Sequence, residues 1–177
     1  MGRRAAIGAL AWLIAAAAPP EPAGLWAGAM ESDTPATLAG ATVVEGAAAA
    51  RDWIAAHKAA VVDVSSAPVK PAHMAPGMVW LPSAHQDLPG SVWLAGAGRA
   101  VLQPERAAAY VGAVSAVAGA PPGRAVLVYC HPHCWGSWNA AKALVQAGYK
   151  QVAWFPGGIE AWARAGYPLQ RARATAY

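Results

Sequence analysis

Residues 125–135 read Ala-Val-Leu-Val-Tyr-Cys-His-Pro-His-Cys-Trp and join a strand pattern to a tight loop. The first five residues form a β-branched, apolar run typical of a strand buried on both faces. A helical pattern follows over residues 137–146, so the loop lies between a strand end and a helix start. Backbone amides and the helix dipole at such a point favour an ionised group on the first loop residue, Cys130.

Strand and helix patterns alternate on both sides of this stretch. Strands are predicted at 42–44, 59–64, 92–94 and 151–155, and helices at 45–57, 104–117 and 159–165. This alternation predicts a single α/β domain whose parallel sheet is covered by helices on both faces. Ligands of such folds bind at the carboxyl ends of the strands, which is where Cys130 lies.

The composition excludes one class of partner. The chain has 177 residues, which suits one domain, and only 12% of them are charged. Its formal net charge is +4, and the basic residues are scattered rather than clustered on one face. Nucleic-acid binding requires a concentrated basic surface, so we expect no nucleic-acid partner.

The first residues have the parts of an export signal. Arg3 and Arg4 precede an apolar stretch over residues 5–18 that is too short to span a bilayer comfortably. We predict export to the periplasm, with cleavage between residues 18 and 27 and no stable membrane span afterwards. An uncleaved anchor and an Ala-rich disordered tail are the alternatives.

Composition also divides the rest of the chain. The predicted units are a signal and the start of a linker at 1–27, a flexible arm at 28–40, a folded domain at 41–170 and a C-terminal tail at 171–177. The arm is predicted from its Pro, Gly and Ala content without steady periodicity.

The two cysteines of the chain, Cys130 and Cys134, both lie in the loop. If the loop coils like a helical turn, their Cα atoms lie about 6 Å apart, within the range for a disulfide. Three uses stay open. They are catalytic or redox chemistry, with Cys134 resolving a persulfide or sulfenic acid on Cys130, a permanent structural disulfide, and metal binding.

Metal binding is an alternative because two imidazoles lie between the thiols. Cys130, His131, His133 and Cys134 form a soft ligand set suited to copper or zinc. Pro132 and the short spacing make it difficult for all four to face one ion, so two or three ligands are expected. Otherwise the histidines serve as positive neighbours that lower a thiol pKa, or as solvent-facing residues. No cofactor is assigned from the residues alone.

Several further motifs resemble a known family. They are residues 126–130, 140–144, 147–149, 157–162 and 165–169, preceded by 61–64 and 87–91. Together they resemble a rhodanese-like domain over about residues 41–169. The resemblance implies a parallel α/β fold and places Cys130 where the family carries its nucleophile.

A narrower set of motifs resembles one branch of that family. These motifs are residues 80–82, His85, 88–94, 129–130, 134–135 and 137–142. They resemble exported rhodanese-like proteins associated with PQQ-dependent alcohol catabolism and named for a Cys/Cys-Trp motif. The resemblance implies an accessory or maturation factor that works with a quinoprotein dehydrogenase or a c-type cytochrome. The alternative is a non-enzymatic copper-, zinc- or cytochrome-binding module that uses the same loop.

The loop departs from ordinary sulfurtransferases in two ways. It looks one residue longer, and it contains no Arg to hold an anionic sulfur donor. A bound anion would depend on backbone amides, the helix start, a loop histidine or a cation such as Arg99.

These considerations give the predicted site. The catalytic residues are Cys130 and Cys134, and the substrate is a small sulfur-containing molecule. The predicted substrate and loop residues are His131, His133, Trp135, Gly136, Ser137 and His85. Trp135 and Trp138 are expected to form a wall beside the thiols.

Overall fold

Strands and helices alternate along the residues that the computed structural model describes, 17–99 and 103–177. In chain order the elements are β1 (Thr42–Val43), α1 (Ala47–His57), β2 (Ala60–Asp63), β3 (Gln86–Asp87), β4 (Ser91–Trp93), α2 (Pro104–Ala118), β5 (Val126–Tyr129), α3 (Trp135–Gln146), β6 (Val152–Phe155), α4 (Gly158–Arg164) and β7 (Gln170–Arg171). Each predicted strand and helix is present, and β3 and β7 are additions.

Five strands form one parallel sheet in the order β1-β6-β5-β2-β4. The three middle strands, β6, β5 and β2, are buried along their whole length. Such continuous burial is expected where helices cover both faces of a parallel sheet. The predicted single α/β domain is therefore confirmed.

Strand β5 divides its side chains between two cores. Val126, Val128 and Cys130 belong to the core that also contains residues of α2 and α3. Leu127 and Tyr129 belong to the core that contains residues of α1 and α4. Successive side chains of a strand point to opposite faces. The Cys130 side chain therefore points to the same face of the sheet as Val126 and Val128, which is the face that α3 covers.

The N-terminal segment 21–41 packs across α3 and the cysteine loop. The ring of Trp26 stacks on Trp135 with 4.4 Å between ring centroids. The backbone N–H of Trp26 donates to Asn139 Oδ1 at 2.8 Å, and Asn139 Nδ2 donates back to the Trp26 carbonyl at 3.0 Å. Residues 28–40, for which the sequence predicts a flexible arm, also make contacts with the domain, since the Ser32 N–H donates to the His133 carbonyl at 2.9 Å and Leu38 is buried. We call residues 21–41 the arm.

The C-terminal residues pack along the β4 edge of the sheet. Strand β7 pairs with β3 in antiparallel fashion. The backbone N–H of Thr175 donates to the Trp93 carbonyl at 2.8 Å, and the Tyr177 hydroxyl donates to the Ala95 carbonyl at 3.0 Å. The predicted tail at 171–177 therefore lies against the domain and covers an edge strand.

Two sequence predictions concern the membrane. The basic and apolar part of the predicted export signal, up to residue 16, lies outside the described residues. Within the described ranges, no helix combines the length and the apolar character that crossing a bilayer requires.

Candidate functional site

The cysteine loop turns at His133, which has a positive φ of 53°. Cys134 is then extended and forms an antiparallel bridge with Glu31 of the arm. Trp135 begins α3, and its N–H donates to the Met30 carbonyl at 2.9 Å. The loop is therefore a turn followed by an extended residue, and the helical coil considered from the sequence is wrong. The arm satisfies a backbone donor that the first helical turn leaves free.

Cys130 is fully buried at the end of β5. Its Sγ atom lies 3.1 Å from the Ser137 Oγ, which also accepts a hydrogen bond from Trp154 Nε1 at 3.0 Å. Burial raises the pKa of the Cys130 thiol well above its ordinary value, and the neighbouring Cys134 raises it further. The expectation that loop amides hold Cys130 ionised is therefore wrong, because strand alternation carries its side chain into the core.

Cys134 is only partly buried and carries the more acidic thiol. Its pKa is lowered to about 6, first because the Cys130 thiol donates a hydrogen bond to its sulfur, although burial opposes the shift. The backbone amides of Gly136, His131 and Ser137 add to the lowering. These amides act through their partial positive charge, since the Cys134 side chain makes no capping hydrogen bond to α3. The ionised sulfur of the pair is thus Cys134, with Cys130 as its donor.

Two cavities meet at Cys134, and Cys130 lines neither of them. The first, which we call the arginine cavity, has a volume of about 630 Å³. Its walls include Arg99 and Glu31 together with apolar side chains such as Met30. The accessible sulfur of the site is therefore Cys134.

The second cavity, which we call the histidine cavity, has a volume of about 620 Å³ and contains both loop imidazoles. His131 Nδ1 lies 2.6 Å from Glu160 Oε1, and His133 Nδ1 lies 3.0 Å from Asp33 Oδ1. Both imidazoles therefore face carboxylates. The sequence suggested that the histidines lower a thiol pKa, but the lowered pKa of Cys134 comes from Cys130 and the backbone amides.

Metal binding at the loop requires several ligand side chains to converge on one point. Among residues 17–99 and 103–177, no group of three or more His, Cys, Asp and Glu side chains is arranged to hold a metal ion. Binding of copper or zinc by three or more of these side chains would therefore require them to rearrange.

The remaining predicted site residues divide into two groups. Gly136 lines the arginine cavity, and a Cβ atom at this position would lie 3.3 Å from the Cys134 sulfur. Trp135 and Trp138 are buried and line neither cavity at Cys134. The expected tryptophan wall is therefore wrong, because Trp26 of the arm covers Trp135 from outside.

His85 belongs to a neighbouring cluster. Its Nε2 atom lies 2.7 Å from Asp63 Oδ2, and its ring stacks on Trp93 with centroids 3.8 Å apart. The other Asp63 oxygen accepts the Ser65 N–H at 2.7 Å, so this carboxylate anchors the loop after β2. His85 lines a separate cavity that it shares with His131, and it lies outside both cavities at Cys134.

Sequence reasoning missed the contribution of the arm to the site. Met30 and Glu31 line the arginine cavity, and Glu31 also lines the histidine cavity. A Cβ atom at Gly98 would overlap the Gly136 carbonyl, so the loop before Arg99 lies directly on the start of α3. A signal for the arm was present in Trp26, since a large aromatic ring in a Pro- and Gly-rich segment marks a packing anchor.

The structure thus combines a parallel α/β domain with a partly accessible thiol, Cys134, in the loop after the central strand β5. A family model described as a rhodanese-like domain matches residues 46–165. The match spans well over half of the chain, and the chain belongs to the rhodanese-like family. The comparison with curated proteins found no match, and neither did the comparison with solved structures. The PQQ-associated branch stays a prediction.

Proposed function

We propose that this protein carries out thiol–disulfide exchange at Cys134, with Cys130 as the second thiol. One observation carries the proposal. The accessible sulfur has its pKa lowered to about 6, while burial raises the pKa of the thiol beneath it. Because a thiolate attacks sulfur and a thiol does not, Cys134 attacks first and Cys130 follows.

The reaction takes two steps. In the first, the Cys134 thiolate bonds to one sulfur of a substrate disulfide, the substrate S–S bond breaks, and one half leaves as a thiolate. In the second, the thiolate that has just left takes the proton of Cys130, the resulting Cys130 thiolate attacks the Cys134 sulfur, and the second half leaves as a thiolate. The two protein thiols are oxidised to a 130–134 disulfide, and the substrate disulfide is reduced. The substrate itself is the oxidant.

Sulfur transfer is the second candidate, since membership of the rhodanese-like family suggests it. With thiosulfate as donor, Cys134 would take the outer sulfur as a persulfide and release sulfite. Attack by Cys130 on the inner sulfur would then release sulfide and form the same 130–134 disulfide. Both candidates share Cys134 as the first nucleophile and differ in the electrophile.

Mass spectrometry of anaerobically reduced protein tests both candidates. With hydroxyethyl disulfide, we expect a 130–134 disulfide in the native protein and a stable mixed disulfide on Cys134 in Cys130→Ser. With thiosulfate, a gain of one sulfur atom on Cys134 in Cys130→Ser would favour sulfur transfer. The proposal fails if Cys134→Ser reacts with hydroxyethyl disulfide as fast as the native protein.

We infer in addition that the protein acts in the periplasm, alongside PQQ-dependent alcohol oxidation. The basic and apolar start of the chain and the motifs shared with the PQQ-associated branch support this inference. The expected partner is a quinoprotein dehydrogenase or a c-type cytochrome. Cell fractionation tests the location, and recovery of the protein only in the cytoplasm would contradict it. Co-purification of such a dehydrogenase or cytochrome with the tagged protein tests the partner.

A further inference from the structure

The arginine cavity places two opposite charges on the walls beside the Cys134 sulfur. Arg99 and Glu31 both line it. The other lining side chains are mostly small or apolar, with Met30 and Val69 among them. A volume of about 630 Å³ is suited to a small molecule. The cavity therefore combines an anion-binding group, a cation-binding group and a reactive sulfur.

The positions of these groups follow from the packing. Arg99 comes directly after Gly98, whose missing Cβ lets its loop lie on the Gly136 carbonyl at the start of α3. Glu31 is bridged to Cys134 through the backbone. Both charged residues are thus attached to segments that contact the reactive loop.

The two cavities differ in charge. The histidine cavity contains the carboxylates of Glu31 and Glu160 with two histidines, and none of the Lys or Arg residues that the structure describes lines it. A ligand carboxylate is therefore better accommodated in the arginine cavity. A ligand with only negative groups would meet Glu31 there, and a ligand with only positive groups would meet Arg99.

We propose that the arginine cavity binds small disulfides of the amino-acid type, which carry a carboxylate and an ammonium group near the sulfur. The carboxylate pairs with Arg99, the ammonium group pairs with Glu31, and one sulfur faces Cys134. This inference rests on the proposed exchange at Cys134 and names its substrate class. In the covalent step the Cys134–sulfur bond forms, the ligand S–S bond breaks, and the other half leaves as a thiolate.

Four disulfides of similar size test the contributions of the carboxylate and the ammonium group independently. Cystine has both groups, dithiodipropionate has only carboxylates, cystamine has only ammonium groups, and hydroxyethyl disulfide has neither. The rate of mixed-disulfide formation on Cys134 is measured for each near neutral pH. The Cys130→Ser background is used because it prevents the second step.

Each variant should slow the two probes that carry the charged group with which the replaced residue pairs. Arg99→Gln should slow cystine and dithiodipropionate by about 1.5- to fivefold relative to hydroxyethyl disulfide, the range for a solvent-exposed ion pair. Glu31→Gln should slow cystine and cystamine by a similar factor. Lys150→Gln is the matched control, because it removes one positive charge next to the amino end of β6, away from the strand ends that carry the site.

The outcomes distinguish this inference from the function on which it rests. Suppose that Cys134 reacts with hydroxyethyl disulfide, but that Arg99→Gln and Glu31→Gln rank the four probes as the control does. The proposed substrate class is then wrong, while the exchange activity at Cys134 stands. If Cys134 reacts with none of the probes, both proposals are overturned. The neutral probe also reports any damage to the fold.

Discussion

At the scale of single residues, the two cysteines show how burial and one hydrogen bond make identical side chains differ. Cys130 loses water and becomes a weaker acid, while Cys134 gains a hydrogen bond from it and becomes a stronger one. The acidity of Cys134 therefore depends on Cys130 being protonated.

Replacing Cys130 tests this dependence. Cys130→Ala removes the donor, so we expect the pKa of Cys134 to rise from about 6 toward the ordinary value for cysteine. Cys130→Ser keeps a hydroxyl donor and should retain most of the lowering. The pH dependence of alkylation by iodoacetamide measures the pKa in both variants. A Cys134 pKa that stays near 6 in Cys130→Ala would show that the backbone amides act alone.

Asp87 gives a prediction about stability and pH. It is buried, its Oδ1 atom has no hydrogen-bond partner among the described residues, and burial raises its pKa from 3.8 to about 6. A carboxyl whose pKa is raised by folding stabilises the fold fully below its unfolded pKa. That contribution is lost as the pH rises through the folded pKa.

Asp87→Asn should therefore be more stable than the native protein near neutral pH, by about 1–2 kcal/mol, and should show no such gain near pH 4. Urea unfolding at a series of pH values measures the difference. Asp52→Asn serves as the control, since Asp52 is an exposed carboxylate with a side chain that is 67% exposed. A gain for Asp87→Asn that is equal at both pH values would contradict the burial argument.

At the scale of elements, the arm acts as part of the reactive loop. Its backbone hydrogen-bonds to both sides of Cys134, through Ser32 to His133 and through Met30 to Trp135. The start of α3 and the conformation of Cys134 are thus set partly by a segment about a hundred residues away in sequence.

Trp26→Ala tests the attachment of the arm. Losing the stacked ring should destabilise the arm by about 1–3 kcal/mol and speed cleavage after Glu31 by a Glu-specific protease. The matched control is Trp53→Ala, since Trp53 stacks on His57 within α1 and packs against a different core from Trp26. Limited proteolysis followed by mass spectrometry measures the rate. Equal cleavage in both variants would show that Trp26 does not hold the arm.

The strands and helices were largely predictable from the sequence, because each is encoded in a pattern of neighbouring residues. The apolar run of β5 reflects the burial of a central strand in a parallel sheet, and the helical pattern of α3 reflects a helix that is buried over most of its length. β3 and β7 were missed because strands of two residues carry no periodicity. The inward direction of Cys130 was readable from strand alternation, but the sequence pattern at the loop favoured a thiolate there.

The groups that come to Cys134 from far along the chain were less predictable. Arg99 was considered as a cation, but nothing local indicated that it shares a cavity with Glu31. Such contacts depend on long-range packing, which neither periodicity nor spacing reports. The packing of the arm on α3 was missed for the same reason.

At the scale of the whole molecule, the arm and the C-terminal residues cover two different parts of the structure. The arm lies on α3, and the C-terminal residues pair along β4, with a further bridge between Trp93 and Ala174. Covering an edge strand removes unpaired backbone groups that would otherwise template association.

Deleting residues 172–177 should therefore lower the free energy of unfolding by about 1–3 kcal/mol and promote self-association. The deletion removes the hydrogen bonds from Thr175 and Tyr177 and the cation–π contact of Arg106 with Tyr177. Tyr177→Ala, which keeps the backbone pairing, should lose less. Chemical unfolding and light scattering measure the two effects. A truncated protein that stays monomeric and equally stable would contradict the role assigned to this segment.

The contacts of the arm on α3 also determine how far the chain can be shortened from its N-terminal side. Glu21 accepts the Ala39 N–H at 3.0 Å and lies 3.6 Å from Lys142 Nζ, and Trp26 makes the stacked contact on Trp135. A shortened chain that begins near residue 18 keeps both anchors, whereas one that begins at residue 28 lacks both. The second chain should therefore leave α3 and the cysteine loop uncovered.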